Sequence, residues 1–181
     1  MAGGSTTTVG HSYPRMEGRA KVTGRAEYIY NMRLPSMLHA KVHRSPISHG
    51  RILSIDTSEA SAMPGVHHVI TGEDVKKVLP EPYYGPAFHD QPILALDKVR
   101  HFGEPVAVVL ATDPHIAETA AQRIVVDYEE LPAVFDEVEA LTSDVIVHEE
   151  LKPAGTFADL KHLAGKRDTN IALDYHLRHG D

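Results

Sequence analysis

The sequence predicts an α+β domain built from a mixed β-sheet, two main helices and a β–α–β unit. Three neighbouring segments support this prediction. The apolar run Pro105–Ala111 is typical of a strand that is covered on both faces. Asp113-Pro114 follows, and it supplies an N-cap and a first-turn proline for a helix over His115–Gln122. Arg123–Tyr128 is rich in β-branched residues and predicts the strand that completes the unit.

The amino-terminal part of the chain contains a flexible arm followed by two strands. Residues 1–19 are rich in glycine, serine and threonine and lack periodicity, so they are interpreted as the arm. Tyr28 and Tyr30 share one face of a first predicted strand. A second strand is predicted over Met37–Arg44, where apolar side chains alternate with a polar face of histidine and lysine.

A third strand is predicted over Arg51–Ser58. Because successive side chains of a strand point to opposite faces, Ile52 and Ile55 are expected on opposite sides. A short helix over Ser58–Met63 and a strand over Val66–Ile70 follow.

A capping box predicts the start of the next helix. Thr71 and Asp74 are three residues apart, so each side chain can bond the backbone of the other, and the helix should extend to about Val78. The remaining predicted elements are the strand Val99–Phe102, the helix Asp136–Leu141 and the strand Asn170–Leu177.

Composition and charge exclude several functional classes. The chain has no cysteine, so it cannot by itself form a disulfide, a cysteine-ligated zinc site, an iron–sulfur cluster or a thiol nucleophile. Its net charge of −7 argues against a nucleic-acid or anionic-membrane partner. There is neither an apolar signal-peptide core nor a membrane-spanning run, so we expect a soluble, cytoplasmic protein.

The 13 histidines raise the question of a metal site. His39 and His43 lie on one strand about 13 Å apart, which is too far for one ion. His67 and His68 are adjacent and point to opposite strand faces. His176 and His179 are three residues apart but lack an accompanying glutamate. These patterns favour solvated or structural histidines, and no metal ligand is assigned.

An acidic cluster is the other candidate for chemistry in this sequence. Paired carboxylates can perform acid–base catalysis when their environments separate their pKa values. Here they follow a strand that leaves into a proline-containing loop, so a solvated face is the favoured interpretation. No nucleophile elbow, glycine-rich phosphate loop or metal motif occurs, and no catalytic residue is assigned. The cluster consists of Asp127, Glu129, Glu130, Asp136 and Glu137.

The combination of motifs resembles one enzyme family. Gly18–Pro46 contains K-V-T-G-R-A-E-Y, L-P-S-M-L-H-A and R-S-P, which resemble the opening of the large subunit of the molybdenum hydroxylases. These enzymes are xanthine dehydrogenase, aldehyde oxidase, carbon monoxide dehydrogenase and their relatives. The resemblance continues in order through three further segments, His49–Val75, Ile93–Asp113 and Ala120–Asp136.

This resemblance implies the amino-terminal α/β-hammerhead domain of a molybdopterin-binding subunit. The arm would cover residues 1–19 and the hammerhead domain residues 20–142. Residues 143–181 would form an irregular linker and a first strand leading to a molybdopterin-binding region outside this chain. The implied role is structural and interface-forming, within an oxidoreductase that hydroxylates an aldehyde, purine or N-heterocycle using water-derived oxygen.

The resemblance also implies the cofactors and partners. No cofactor is expected on this chain itself, which is predicted to be inactive alone. Molybdopterin with molybdenum is expected on the rest of the subunit, and [2Fe–2S] clusters and FAD on other domains or subunits, which are the expected partners.

One loop is expected to reach the substrate. Leu79–Pro92 contains four prolines, which indicates an exposed, preorganised loop. In xanthine-oxidising relatives the matching loop contributes apolar residues to the substrate channel, which makes Ala87 and Phe88 the candidates here. The alternative for Phe88 is that it only anchors the loop. For the whole chain, the alternative is a stand-alone binding or interaction module that reuses the hammerhead fold.

Overall fold

The computed structural model describes residues 8–85, 90–149, 168–172, 174 and 177–180. It divides into two compact units, Met1–Met37 and Leu38–Asp181. The first unit contains helix α1 (Gly18–Val22) and a 3₁₀ turn over Ile29–Asn31. None of the helices in the described part of the chain has the length and apolarity needed to cross a bilayer.

The strand predicted around Tyr28 and Tyr30 is wrong. The backbone N–H of Asn31 donates to the Tyr28 carbonyl at 2.9 Å, and that of Met32 donates to the Ile29 carbonyl at 3.1 Å. Both tyrosines are exposed, at 56% and 87%. The alternation therefore has no buried face to specify a strand, and local hydrogen bonds form a turn instead.

The second unit contains two three-stranded sheets and one short hairpin. The first sheet has the order β1-β7-β3 and the second the order β6-β2-β8, while β4 pairs with β5. Every strand pair among the described residues is antiparallel. The strands are β1 (His39–Arg44), β2 (Gly50–Asp56), β3 (Val66–Thr71), β4 (Tyr83–Tyr84), β5 (Gln91–Pro92), β6 (Lys98–Val99), β7 (Pro105–Ala111) and β8 (Val125–Glu130).

Among the described residues of this unit, three helices connect strands and a fourth follows β8; two of the four begin at the predicted caps. The helices are α2 (Ser58–Ser61), α3 (Gly72–Val78), α4 (Pro114–Ala121) and α5 (Glu137–Ala140). The Asp113 carboxylate accepts the His115 N–H at 2.8 Å and so caps α4. The Asp74 carboxylate accepts the Thr71 backbone N–H at 3.0 Å in the capping box of α3. Hydrogen bonds from Lys77 and Thr71 lower the pKa of Asp74 to about 2.

The core forms where α4 packs on the first sheet. Ala117, Ala120 and Ala121 are buried on one face of this helix, as its stripe of small residues predicts. Ala120 and Ala121 lie in the same cluster as Ala107 and Val109 of the central strand β7. Small side chains on both surfaces allow the helix to approach the sheet closely.

The α+β class is confirmed, but the predicted β–α–β unit is wrong. Strands β7 and β8 flank α4 as predicted, yet β7 pairs with β1 and β3 whereas β8 pairs with β2. The helix therefore connects two sheets and does not cross between parallel neighbours. The apolar run of β7 reflects its central position between two antiparallel partners, with a helix on one face.

The structure of strand β2 differs from the alternation predicted for Arg51–Ser58. Its pairing with β8 shifts register between Ile52 and Ser54. An extra residue at such a bulge changes the alternation, so Ile52 and Ile55 both pack against a second buried cluster, which is formed by Ala95, Val99 and Val106. Leu53 is left 57% exposed. The expectation that the two isoleucines point to opposite faces is therefore wrong.

Two other predicted strands are shorter or absent among the described residues. Strand β6 ends at Val99, because the Arg100 N–H donates to the Glu104 carboxylate and not to a neighbouring strand. The strand predicted over Asn170–Leu177 is absent in those of its residues that are described. Instead, the Asn170 side chain bonds backbone groups of the preceding segment.

Candidate functional site

The two predicted channel residues, Ala87 and Phe88, lie outside the described residues. The structure does describe the hairpin that carries them. Tyr83 pairs with Pro92 and Tyr84 with Gln91, so the ends of the loop are held together by β4 and β5.

A cluster of buried polar side chains lies around three parts of the fold. These are the loop between β1 and β2, strand β6, and the loop between β6 and β7. The Ser45 backbone N–H donates to the Glu104 carbonyl at 2.9 Å, and the Gly103 N–H donates to the Ser45 carbonyl at 2.9 Å. These bonds hold the loop after β1 against the loop before β7. The buried polar residues of this cluster are Ser45, His49, Lys98 and Glu104.

Lys98 is the central cation of the cluster. Its Nζ donates to Glu149 Oε1 at 2.6 Å and lies 3.4 Å from His49 Nε2. His49 Nδ1 lies 2.6 Å from the Pro132 carbonyl oxygen, which can only accept a hydrogen bond. The proton of His49 is therefore assigned to Nδ1, and Nε2 is free to accept from Lys98.

The environment of Glu149 favours its charged form. Partial burial opposes ionisation, but the hydrogen bond from Lys98 and the positive charges of Lys98 and Arg100 outweigh it and lower the pKa of Glu149. The side chain of Lys98 is only 7% exposed, whereas that of Glu149 is 63% exposed. The ion pair thus joins a buried cation to a hydrated anion.

Tyr128 of β8 lies next to Ser45 and Glu104 of this buried cluster. The Glu104 carboxylate accepts the Arg100 backbone N–H. The Tyr128 hydroxyl is buried without a hydrogen-bond partner among the described residues. Burial raises the pKa of Tyr128, and the Glu104 charge adds to this effect while the Ser45 side chain offsets part of it. The phenol is therefore neutral at physiological pH.

A polar cavity of about 380 Å³ lies next to this cluster. The residues that border it include Tyr83 and Asp90 at the base of the hairpin, and Arg100 and His148. Arg100 lies 3.8 Å from the Asp97 carboxylate. Burial, followed by the charge of Arg100, lowers the pKa of His148. The cavity can hydrogen-bond a small polar molecule.

A second cavity, of about 370 Å³, is more apolar. Val134, Phe135 and Val147 contribute to its walls, together with the carboxylates of Asp90 and Glu137. Asp90 borders both cavities.

The structure separates the predicted acidic cluster into two groups. Asp127, Glu129 and Glu130 lie exposed on β8, where Glu129 forms an ion pair with Arg51 at 3.2 Å. Asp136 caps α5 by accepting the Val138 and Glu139 N–H groups, each at 2.8 Å. With Glu137 it borders the apolar cavity. The five carboxylates therefore do not form one acid–base site.

The histidines of β1 lie on the side of the sheet that faces α4. His43 Nδ1 lies 2.8 Å from the Ala121 carbonyl, and Lys41 pairs with Glu118 at 3.1 Å. This face is therefore helix-covered, which its polar composition did not predict. Within the described ranges, no three His, Asp or Glu side chains are close enough together to hold a metal ion.

Sequence reasoning missed the buried cluster. One signal was present: Glu104 directly precedes the apolar strand Pro105–Ala111, and Lys98 opens the short strand before it. Charged residues next to buried strands are candidates for paired, buried groups. Their partners His49 and Glu149 are distant in sequence, so only the fold reveals the pairing.

Comparison with known families identifies the domain. The family model described as "Aldehyde oxidase and xanthine dehydrogenase, a/b hammerhead domain" matches residues 23–132. The chain belongs to this family. The resemblance noted in the sequence is thereby confirmed for the hammerhead domain.

Relatives of this hammerhead domain include subunits of several dehydrogenases. It is 40% identical to the 6-hydroxypseudooxynicotine dehydrogenase complex subunit gamma of Paenarthrobacter nicotinovorans, over 76% of this chain and 18% of the relative. It is 34% identical to the nicotinate dehydrogenase large molybdopterin subunit of Eubacterium barkeri, over 96% of this chain and 36% of the relative. Carbon monoxide dehydrogenase, xanthine dehydrogenase and aldehyde oxidoreductase chains also match.

A solved structure supports the fold of the hammerhead domain. Quinoline 2-oxidoreductase from Pseudomonas putida 86 matches with a TM-score of 0.67 and 43% identity, over 73% of this chain and 17% of that chain. The chain thus spans less than two fifths of each of these relatives.

The two cavities described above do not fit molybdopterin. The apolar cavity is bordered by Asp90, Asp136 and Glu137, whose negative charges would repel the phosphate of the cofactor. In the polar cavity, Arg100 already pairs with Asp97, and Lys76 with Glu73 at 2.9 Å. No step of a reaction is therefore assigned to these residues.

Proposed function

We propose that this chain is the hammerhead domain of the molybdopterin-binding subunit of a molybdenum-dependent oxidoreductase. The match of residues 23–132 to the hammerhead family carries the proposal. The whole enzyme would hydroxylate an aldehyde, a purine or an N-heterocycle with oxygen derived from water. N-heterocycles have the best support, because nicotinate and quinoline appear in the names of two relatives with 34% and 43% identity.

The role of the chain within that enzyme is structural and interface-forming. Its partners would be the rest of the molybdopterin-binding subunit and the domains or subunits that hold [2Fe–2S] clusters and FAD. The names of relatives as subunits of complexes support this arrangement. We propose the following division of the chain: an arm at residues 1–19, the hammerhead domain at 20–142 and a linker at 143–181. We also propose a cytoplasmic location.

Molybdenum content tests the proposal. We expect elemental mass spectrometry to find molybdenum in the native complex that contains this chain, and none in the 181-residue chain prepared in parallel. The reason is that no three metal-ligating side chains cluster among the described residues, so we expect the metal to depend on other parts of the enzyme. A native complex without molybdenum, expressed with the cofactor pathway active, would instead favour a binding module that reuses the fold.

We also propose that Ala87 and Phe88 contact the substrate. The paired hairpin base supports this, because it limits where residues between Tyr84 and Gln91 can extend. In the holoenzyme, Phe88→Ala should change the ratio of kcat/KM between a large and a small substrate about tenfold, since it enlarges an apolar channel.

Steady-state kinetics with heterocycles of one and two rings would measure this ratio. Ala87→Val should shift it in the opposite direction by narrowing the channel. Phe102→Ala is the matched control, because Phe102 is an exposed aromatic side chain at 71% and borders neither described cavity. A ratio unchanged by Phe88→Ala would show that Phe88 only anchors its loop.

A further inference from the structure

The apolar cavity beside α5 exposes an aromatic ring. Phe135 borders the cavity and is 83% exposed, although it is a large apolar side chain. Val134 and Val147 complete the apolar wall around a volume of about 370 Å³. This volume lies within the usual range of small-molecule sites.

Hydrogen bonds from one side chain hold the cavity walls in place. Asn170 Nδ2 donates to the Ala140 carbonyl at 3.2 Å and to the Val145 carbonyl at 2.8 Å. Its Oδ1 accepts the Val147 N–H at 3.0 Å. Asn170 itself borders the cavity, so the end of α5 and the segment after it are fixed before any ligand enters. Such preorganisation reduces the entropic cost of binding.

The charged residues that border this cavity in the described part of the chain are all acidic. Asp90, Asp136 and Glu137 border it, and no lysine or arginine does so among the described residues. Asp136 is already engaged in capping α5, which leaves Asp90 and Glu137 to interact with a ligand. Burial, followed by the charge of Arg100, lowers the pKa of His148 and so disfavours its charged form.

We propose that this cavity binds a small organic cation with an apolar body. The apolar part would lie against Val134 and Val147, and the cationic group would lie between the Phe135 ring and the carboxylates of Asp90 and Glu137. An aromatic face attracts a cation through its quadrupole, and partial desolvation strengthens the attraction. The proposal does not rest on the activity of the whole enzyme.

Benzyltrimethylammonium is a suitable probe for the full chain, with binding measured by calorimetry and NMR shifts. We expect saturable binding, with NMR shifts at Phe135 and Val147. Benzyl alcohol, which has the ring but no charge, should bind at least about fivefold more weakly. Phe135→Leu and Glu137→Gln should each weaken the cation's binding by about fivefold.

Two matched variants separate this site from general effects of charge and ring content. Glu139→Gln alters a neighbouring carboxylate of α5, and Phe102→Leu alters another exposed ring; neither residue borders the cavity. Both should bind the probe like the unmodified chain. Phe135→Tyr keeps an aromatic face and should retain binding, which distinguishes a lost ring from a lost fold. Equal affinity for benzyl alcohol, absence of saturable binding, or equal loss in the controls would overturn the proposal.

Discussion

Replacing Gly72 by alanine is expected to lower the free energy of unfolding by about 3 kcal/mol. Gly72 is buried at the start of α3, and a β-carbon there would lie closer than 3.0 Å to the Ala95 carbonyl oxygen. It would also lie 3.2 Å from Leu96 Cδ2. Since Ala95 is itself buried and its N–H donates to the Pro105 carbonyl at 2.7 Å, the backbone cannot move away without breaking a bond of the core.

Two other glycines provide controls, and urea denaturation measures all three variants. Gly18 also begins a helix, but a β-carbon there meets only Arg15 Cβ at 3.5 Å, so Gly18→Ala should be neutral or slightly stabilising. Gly103 has a φ of +81° with nothing within 4 Å, so alanine there should cost only about 1 kcal/mol of backbone strain. A loss at Gly72 no larger than at Gly103 would show that the contact with Ala95 relaxes easily.

The elements that could be predicted from sequence are those with local signals. The Asp113 cap, the Thr71–Asp74 capping box and the apolar run Pro105–Ala111 each depend on residues close together in the chain. Side chains at these positions satisfy nearby backbone groups in most structural contexts. This is why α3, α4 and β7 lie within a residue or two of their predicted positions.

Two of the errors, in strand β2 and in the predicted β–α–β unit, concern contacts between distant segments. Alternation in Arg51–Ser58 could not reveal the bulge after Ile52, because the extra residue is defined by pairing with β8. The order β7-α4-β8 is equally compatible with parallel neighbours and with strands in separate sheets. Local pattern alone does not decide between these arrangements, because pairing depends on the other strands available.

The candidate site was less predictable than the fold for the same reason. Lys98 depends on His49 and Glu149, which are 49 and 51 residues away in sequence. A lysine that opens a short strand resembles a solvated residue until its neighbours are known. The two members of its ion pair differ greatly in exposure. Removing one member should therefore affect the stability of the fold differently from removing the other.

We therefore expect Glu149→Gln to destabilise the protein more than Lys98→Met. Glutamine keeps a neutral oxygen that can accept from Lys98 but removes the negative charge, and such an uncompensated buried ammonium should cost about 2 kcal/mol. Without the ammonium, the exposed Glu149 is solvated by water, and the loss should be about 1 kcal/mol from the unpaired His49 Nε2. Denaturant unfolding of both single variants measures this order. The opposite order would show that Lys98 reaches water when its partner is removed.

The pair formed by Lys41 and Glu118 is the matched control for this asymmetry. Both of its side chains are about half exposed, at 46% and 51%, so Glu118→Gln should change stability by less than about 0.5 kcal/mol. The ion pair of Lys98 and Glu149 should also respond to pH. Because the pKa of Glu149 is lowered in the folded protein, its stabilisation is present above pH 4.5, the ordinary value, and is lost as the pH falls through the folded pKa. The difference between the original chain and Glu149→Gln should therefore disappear in acid, since protonated Glu149 leaves Lys98 as poorly compensated as glutamine does.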